Sequence, residues 1–305
     1  MSRQRKRKGD PVHGWLAVDK PVDVTSTQVV GILKRLFNAQ KAGHGGTLDP
    51  LADGILPIAF GEATKTAQWA MDCDKEYVFT IEWGISTASQ DKEGEITARS
   101  DRRPGRAEIE AALPLFVGDI QQVPPKFSAI KVDGARAYDL ARDGETFEIP
   151  SREVTVYEAE IFDIPDSDHV TLRVVSGKGF YVRAMARDLA DALGAEGHVS
   201  QLRRTRVGAL DESNATPLAA LEALIDDRTS LLDTLLPIET VLDDVPLIEI
   251  DLSDASALKQ GREIVLLPHQ VEQWRDETDS DPDNRLALTR TQGKAIALGE
   301  VRAGR

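Results

Sequence analysis

The chain has 305 residues, 41% hydrophobic and 29% charged, with a formal net charge of −14; that length allows one large domain or two and supports a real core. The single Cys73 excludes an internal disulfide and any multi-thiolate metal site made by this chain alone. No apolar run approaches a membrane span and no secretion signal is evident, so a cytoplasmic protein is expected.

The charge is unevenly spread. Residues 222–283 carry 17 acidic against four basic side chains, which leaves the rest of the chain at −1. A nearly neutral body with room for basic patches leaves nucleic-acid binding open.

Residues 1–11 are charged and almost free of apolar side chains, so they read as a disordered basic arm. Gly14–Asp19 reads as a short strand ended by Lys20-Pro21. Thr25 or Ser26 then caps a helix whose apolar face is Val29, Leu33, Leu36 and Phe37. Ala42–Gly54 follows, with four glycines, His44, Asp49 and Asp53. Pro50 biases Asp49 toward extended backbone, so this carboxylate sits in a loop that is either turn chemistry or an active site.

Gly54–Phe60 reads as a strand, Thr64–Met71 as a helix and Lys75–Trp83 as a cleanly alternating strand. Tyr77, Phe79, Ile81 and Trp83 share one face of it. Residues 86–106 are polar and read as a loop region. Ala107–Leu113 and Ala135–Arg142 read as helices, and Val154–Phe162 and Val170–Val175 as strands. A helix then ends at Leu193, stopped by Gly194. Arg187 is expected to be solvated. Arg183 lies in the first turn, where the helix dipole disfavours a cation, so it is expected to meet a partner such as a carboxylate.

Leu202–Gly208 reads as a strand with three arginines, and Thr216 caps a further helix with Pro217 at its first position. The first domain is expected to end at 244, giving 12–244 and 245–305. The second has predicted strands at Leu247–Ile250, Glu263–Leu267, Arg285–Leu288 and Ala295–Glu300. A helix is predicted at Ser253–Lys259 and a mobile acidic insertion at Gln273–Asn284.

No histidine pair has helical metal-ligand spacing, and there is no phosphate-binding glycine motif and no Gly-x-Ser-x-Gly elbow. What remains is a carboxylate in a glycine loop, a tyrosine, an arginine at a helix start and a histidine. A positioned aspartate can act as a nucleophile beside an arginine, and a tyrosine can stack on a base or move a proton. Those parts suit either a glycosidic-bond enzyme or a base-modifying enzyme.

Gly43-His44-Gly45-Gly46-Thr47-Leu48-Asp49-Pro50-Leu51-Ala52 resembles the catalytic motif of the TruB family of tRNA pseudouridine synthases. Val18-Asp19-Lys20-Pro21 with Thr25-Ser26, Gly61–Lys65, Lys75-Glu76-Tyr77 and Thr87-x-Ser89-x-Asp91-x-x-Gly94 are similar to further family motifs, in family order. So are Gln122-x-Pro124-Pro125-x-Phe127-Ser128-Ala129-x-Lys131, Gly179–Arg183 and Leu202-Arg203-Arg204. The resemblance covers roughly residues 13–220. It implies an α+β pseudouridine-synthase fold, with a mixed, largely antiparallel sheet flanked by helices and a small, divergent PUA-like C-terminal module.

The resemblance further implies that a T-loop uridine of tRNA, usually position 55, is isomerised without a cofactor. Asp49 would attack the target nucleotide, Tyr77 would stack on the flipped base and serve in proton transfer, and Arg183 would pair with Asp49. His44, Lys20, Gly45, Gly46, Leu202 and Arg203 make up the implied substrate-binding set. Lys34, Lys41, Lys65, Arg203 and Arg204 are available to position phosphates. The family resemblance implies a monomer with no obligatory protein partner. Two other readings compete: a non-catalytic RNA-binding protein, and a carboxylate glycosidase that would recruit Asp53 as its second carboxylate.

Overall fold

The structure, a computed structural model, describes residues 8–128, 130–132, 135–136, 147–278 and 285–302. Most of the basic arm therefore lies outside the described residues. Its end is not loose: Asp10 pairs in a β-bridge with Ala39, and its carboxylate accepts from Arg228 at 3.0 Å.

Strand β1 (Gly14–Lys20) leads to helix α1 (Ser26–Leu36). The cap is Thr25, in a reciprocal box: its hydroxyl accepts from Gln28 N at 3.1 Å while Gln28 Oε1 accepts from Thr25 N at 2.8 Å. A cap of this kind stabilises a helix by about 1 kcal/mol. Val29 and Leu33 are buried on α1, and Phe37 caps its C-terminus and stacks on Phe60. Lys34 and Arg35 in the last turn complement the dipole.

Strands β2 (Ala42–His44), β3 (Asp53–Phe60) and β4 (Lys75–Trp83) follow, with a 3₁₀ turn and the short helix α2 (Ala67–Asp72) between β3 and β4. The stretch expected to be a loop at 86–106 contains a hairpin, β5 (Ile85–Thr87) with β6 (Ile96–Arg99). Helix α3 (Arg106–Ala112) leads to β7 (Gly118–Gln122). β8 (Lys131–Val132) pairs with β9 (Ala135–Arg136), so the helix expected from Ala135 does not start there; its remainder lies outside the described residues.

β10 (Arg152–Asp166) and β11 (His169–Ser176) are longer than their alternation indicated. Helix α4 (Val182–Ala192) buries Val182, Met185, Ala186 and Leu189 and stops at Gly194, whose φ of +62° suits a residue without a Cβ. Strand β12 (Gly197–Val207) follows, then β13 (Leu210–Asp211) and β14 (Thr216–Pro217). Thr216 does not cap a helix. It pairs with Val18, and α5 (Leu218–Ala223) starts after Pro217.

These strands form a ten-stranded mixed sheet of the described residues, in the order β14-β1-β3-β12-β4-β11-β10-β7, with β2 on β3 and β13 on β12. β1/β14 and β3/β12 run parallel, and the other pairings are antiparallel. The sheet and its flanking helices share one apolar core, and the fold is α+β as the resemblance implied. β12 lies between β3 and β4 and pairs Arg204 with Gly54 on one side and Tyr77 on the other. A bulge between Arg204 and Arg206 breaks its alternation there.

The chain divides into two compact units at Leu235/Leu236, ahead of the expected boundary at 244. The second unit has a three-stranded sheet in the order β15 (Leu247–Glu249), β16 (Leu286–Thr291) and β17 (Lys294–Glu300), with helices α7 (Leu252–Lys259) and α8 (Pro268–Thr278). The short helix α6 (Arg228–Asp233) belongs to the first unit. One expectation fails in the second unit: Glu263–Leu267 alternates, with Ile264 and Leu266 buried and Val265 and Leu267 exposed, yet it joins no strand ladder of the described residues. Of the stretch expected as a mobile insertion, 273–278 is helical and Trp274 donates to Leu286 O at 2.9 Å, while 279–284 lies outside the described residues.

Candidate active site

The loop carrying Asp49 is tied at several points. Ser26, 2% exposed, donates to Leu48 O at 3.0 Å and accepts from Leu48 N at 2.9 Å. Pro50 O accepts from Asp23 N at 2.8 Å, and Asp49 O accepts from Ala52 N at 3.1 Å. Arg204, 3% exposed, donates to Gly46 O and Thr47 O, each at 3.3 Å, and to Ile55 O at 2.8 Å. The Asp-Pro step therefore sits on a backbone anchored on both sides.

Asp49 itself points to Arg183: Oδ2 lies 2.9 Å from Nη2, with Asp49 36% exposed and Arg183 6%. The second carboxylate on this guanidinium is Asp91, 4% exposed and 3.3 Å from Nη1. Ser89 O and Phe127 O accept from the same group, each at 2.9 Å. One buried cation thus meets two carboxylates of unlike exposure, and only Asp49 is reachable from outside. The partner expected for a cation in the first turn of α4 is present twice.

Tyr77 lies on β4, half-buried and tilted against Phe180 with ring centroids 6.2 Å apart. It stands opposite Arg204 in the β12/β4 register, and Tyr77 and Asp49 both act electrostatically on that guanidinium. Burial pushes the Arg204 pKa down, and these two groups oppose the shift. Tyr181, the residue before α4, also faces this site. Its backbone is clamped by Gln122, which accepts from Tyr181 N at 2.8 Å and donates to Tyr181 O at 3.1 Å. Burial pushes the Tyr181 hydroxyl up, with Asp49 adding to the effect.

His44 is half-buried, and its Nδ1 is a buried polar atom without a hydrogen-bond partner. Burial, with Arg204 nearby, holds its imidazole below the ordinary value of 6.5, which favours the neutral ring.

Several expected substrate contacts are placed otherwise. Lys20 is fully buried, and its ammonium donates to Pro21 O and Val24 O at 2.8 Å and to Pro50 O at 3.5 Å. An ammonium has three protons, so Lys20 holds the loop from beneath. Burial lowers its pKa to about 8. Gly45 is close to Trp15 and Ala70: a Cβ there would lie 2.7 Å from Ala70 Cβ, so this glycine serves packing. Gly46 has φ +121°, which explains the residue type without a ligand. Leu202 is buried in β12.

Arg203 is engaged by carboxylates, with Asp19 at 3.0 Å, Glu212 at 2.7 Å and Asp53 at 3.5 Å. Asp53 is thus a partner of Arg203, and it lies on the first residue of β3. Arg204 is too buried to reach a phosphate, and Lys65 pairs with Glu62 at 2.5 Å. Arg187, expected in solvent, donates to Val123 O at 3.0 Å. Ser26 reads as a possible helix cap, and Ser26, Asp91, Gln122 and Tyr181 lie in the motifs, yet sequence reasoning gives none of the four a part in the site. The one signal available for Asp91 was its Thr-x-Ser-x-Asp turn spacing.

Comparison with solved structures gives the same fold. A chain in the crystal structure of a Cbf5–Nop10–Gar1 complex is 26% identical and superposes with a TM-score of 0.70, over 95% of this chain and 78% of that one. A chain in the structure of an H/ACA RNP bound to a substrate RNA containing 2′-deoxyuridine superposes with a TM-score of 0.69 at 23% identity, over 98% of this chain and 84% of that one. The mixed sheet is therefore that of the Cbf5/TruB type of pseudouridine synthase.

Residues 34–182 match the profile of the TruB family pseudouridylate synthase N-terminal domain, and residues 183–243 match that of the tRNA pseudouridylate synthase B C-terminal domain. The chain is 56% identical to tRNA pseudouridine synthase B of Caulobacter vibrioides, over 99% of this chain and 96% of that one. The counterpart from Bradyrhizobium diazoefficiens is 47% identical, over 99% and 86% respectively. The chain belongs to the TruB family of pseudouridylate synthases, which are isomerases.

Proposed function

We propose that the protein converts a uridine of the tRNA T-loop, position 55, to pseudouridine, with Asp49 as the attacking carboxylate. The observation that carries this reading is the 2.9 Å Asp49–Arg183 pair on the anchored glycine loop. The tRNA substrate follows the names of the relatives.

In this reading the target base is extruded from its stack at a cost of a few kcal/mol. Asp49 attacks the nucleotide, and Arg183 holds one carboxylate oxygen and sets its direction. Tyr77 stacks on the base and moves the proton released from C5. The N–C glycosidic bond breaks and a C–C bond forms, with no net change in oxidation state, so the chemistry calls for no cofactor. His44, whose burial favours the neutral ring, helps hold the extruded nucleotide. The protein would act as a monomer in the cytoplasm, and its C-terminal unit would be a divergent PUA-like module. Among the described residues, no helix is long and apolar enough to cross a membrane.

The test is incubation with an unmodified tRNA transcript, with pseudouridine mapped by chemical labelling, beside Asp49→Asn. Wild type should form one pseudouridine in the T-loop and the variant none. Equal activity in the variant would overturn the role of Asp49. Free uracil as product would favour a glycosidase.

A further inference from the structure

Arg204 is a cation in an unusual place. It is 3% exposed, and no carboxylate of the described residues forms an ion pair with it. A buried charge is costly unless its protons are satisfied. Here the protons go to backbone carbonyls of Gly46, Thr47 and Ile55. Two of those carbonyls belong to the loop that carries Asp49. Tyr77 stands opposite Arg204 in the β12/β4 register, so the two side chains leave the sheet on the same face. On the other side of Arg204 β3 comes close: a Cβ at Gly54 would lie 2.2 Å from Arg204 O, so the backbones touch where only glycine fits. β12 bulges just after Arg204, which aims this side chain under the loop.

We propose that Arg204 is a positioning residue for the isomerisation. It fastens the Asp49 loop and the Tyr77 strand to one rigid group and donates to the Tyr77 oxygen. An arginine can only donate, so in this arrangement the Tyr77 oxygen accepts, which leaves its own O–H free for another partner. When Tyr77 gives or takes a proton, the guanidinium stabilises the charge on its oxygen. The phosphate-binding role expected for this arginine is replaced by one beneath the site. The inference rests on the reading of Asp49 and Tyr77 as the reacting groups.

The test uses the full chain with Arg204→Lys and Arg204→Met, checked for folding by circular dichroism. Single-turnover pseudouridine formation should fall about 100-fold in Arg204→Met, the size expected when reacting groups are displaced by about an ångström. The Kd for tRNA should stay within about threefold, because Arg204 does not reach the surface. A drop in affinity with an unchanged single-turnover rate would overturn the proposal.

A second readout needs no tRNA and no Arg204 variant. The side-chain ¹⁵N resonances of Arg204 should shift in Tyr77→Phe while those of Arg203 stay in place. Unmoved Arg204 resonances would overturn the proposal even if the enzyme acts on another RNA. An inactive wild type with shifted resonances would instead sink the tRNA reading alone.

Discussion

Asp91→Asn removes one charge and, with Oδ1 kept on Glu93 N, turns an amide N–H₂ in place of an acceptor toward Arg183. The asparagine keeps the size of the side chain and can keep the bond from Glu93 N, now 3.0 Å from Asp91 Oδ1. It gives up the charge of a carboxylate 3.3 Å from Arg183, both nearly out of solvent. With an effective dielectric of about 20, two charges at that separation attract by ~5 kcal/mol. Desolvation of the carboxylate in the wild type cancels part of this, and breaking one side of a buried pair costs about 3 kcal/mol in net stability. Urea unfolding followed by tryptophan fluorescence should show it: with a slope of about 2 kcal/mol per molar, the midpoint falls by about 1.5 M. Single-turnover activity should fall as well, by about 10-fold or more, because Arg183 loses the anchor that sets its angle on Asp49. A midpoint within about 0.3 M of wild type would refute the reasoning. It would mean that the carbonyls of Ser89 and Phe127 hold Arg183 by themselves.

Other consequences are open to simple measurements. The folded protein binds the His44 proton less readily than the unfolded chain, because burial lowers the ring below 6.5. The unfolded state then carries more protons as pH drops below 6.5, so stability falls with pH in that range, and His44→Asn should flatten the fall in urea titrations. Gly54→Ala places a Cβ against the Arg204 backbone at φ +96°. It should destabilise by more than about 3 kcal/mol, and an unchanged melting temperature would contradict the close β3/β12 contact. Arg203→Gln should leave the salt dependence of tRNA binding unchanged, since its guanidinium is held by Asp19, Asp53 and Glu212. A salt slope lower by about one would show instead that it contacts a phosphate.

The sequence was most informative where one physical rule acts alone. The alternation of Lys75–Trp83 placed Tyr77 on the apolar face, and the strand spans those residues. The mismatch between Arg183 and its helix dipole pointed to an anion, and two carboxylates are there. What escaped involves long-range partners. Asp91 sits in a polar stretch that looks like a loop, and its burial comes from a bridge to Val199, far away in sequence. Arg204 lies between two other arginines next to a bulge, so alternation could not say which of the three turns inward. Ser26 was read only as a possible cap, while Thr25 took that place and left the Ser26 hydroxyl for Leu48. Glu263–Leu267 has the period of a strand without a neighbour to pair with, and periodicity cannot report a missing partner.

The position of β12 has a consequence for synthesis. This strand is made late, yet it belongs between β3 and β4, which are made early. On the ribosome those two strands must wait, with Asp53, Gly54, Phe79 and Ile81 lacking their partners on β12. Pairings of such sequence separation are slow to form, and unpaired edges are prone to stray association. No nascent chain that stops short of Gly197 can hold the Asp49 loop as the finished protein does, since Arg204 has not yet emerged. The centre of the sheet closes only after the strands on both sides of β12 are made, and the site closes with it.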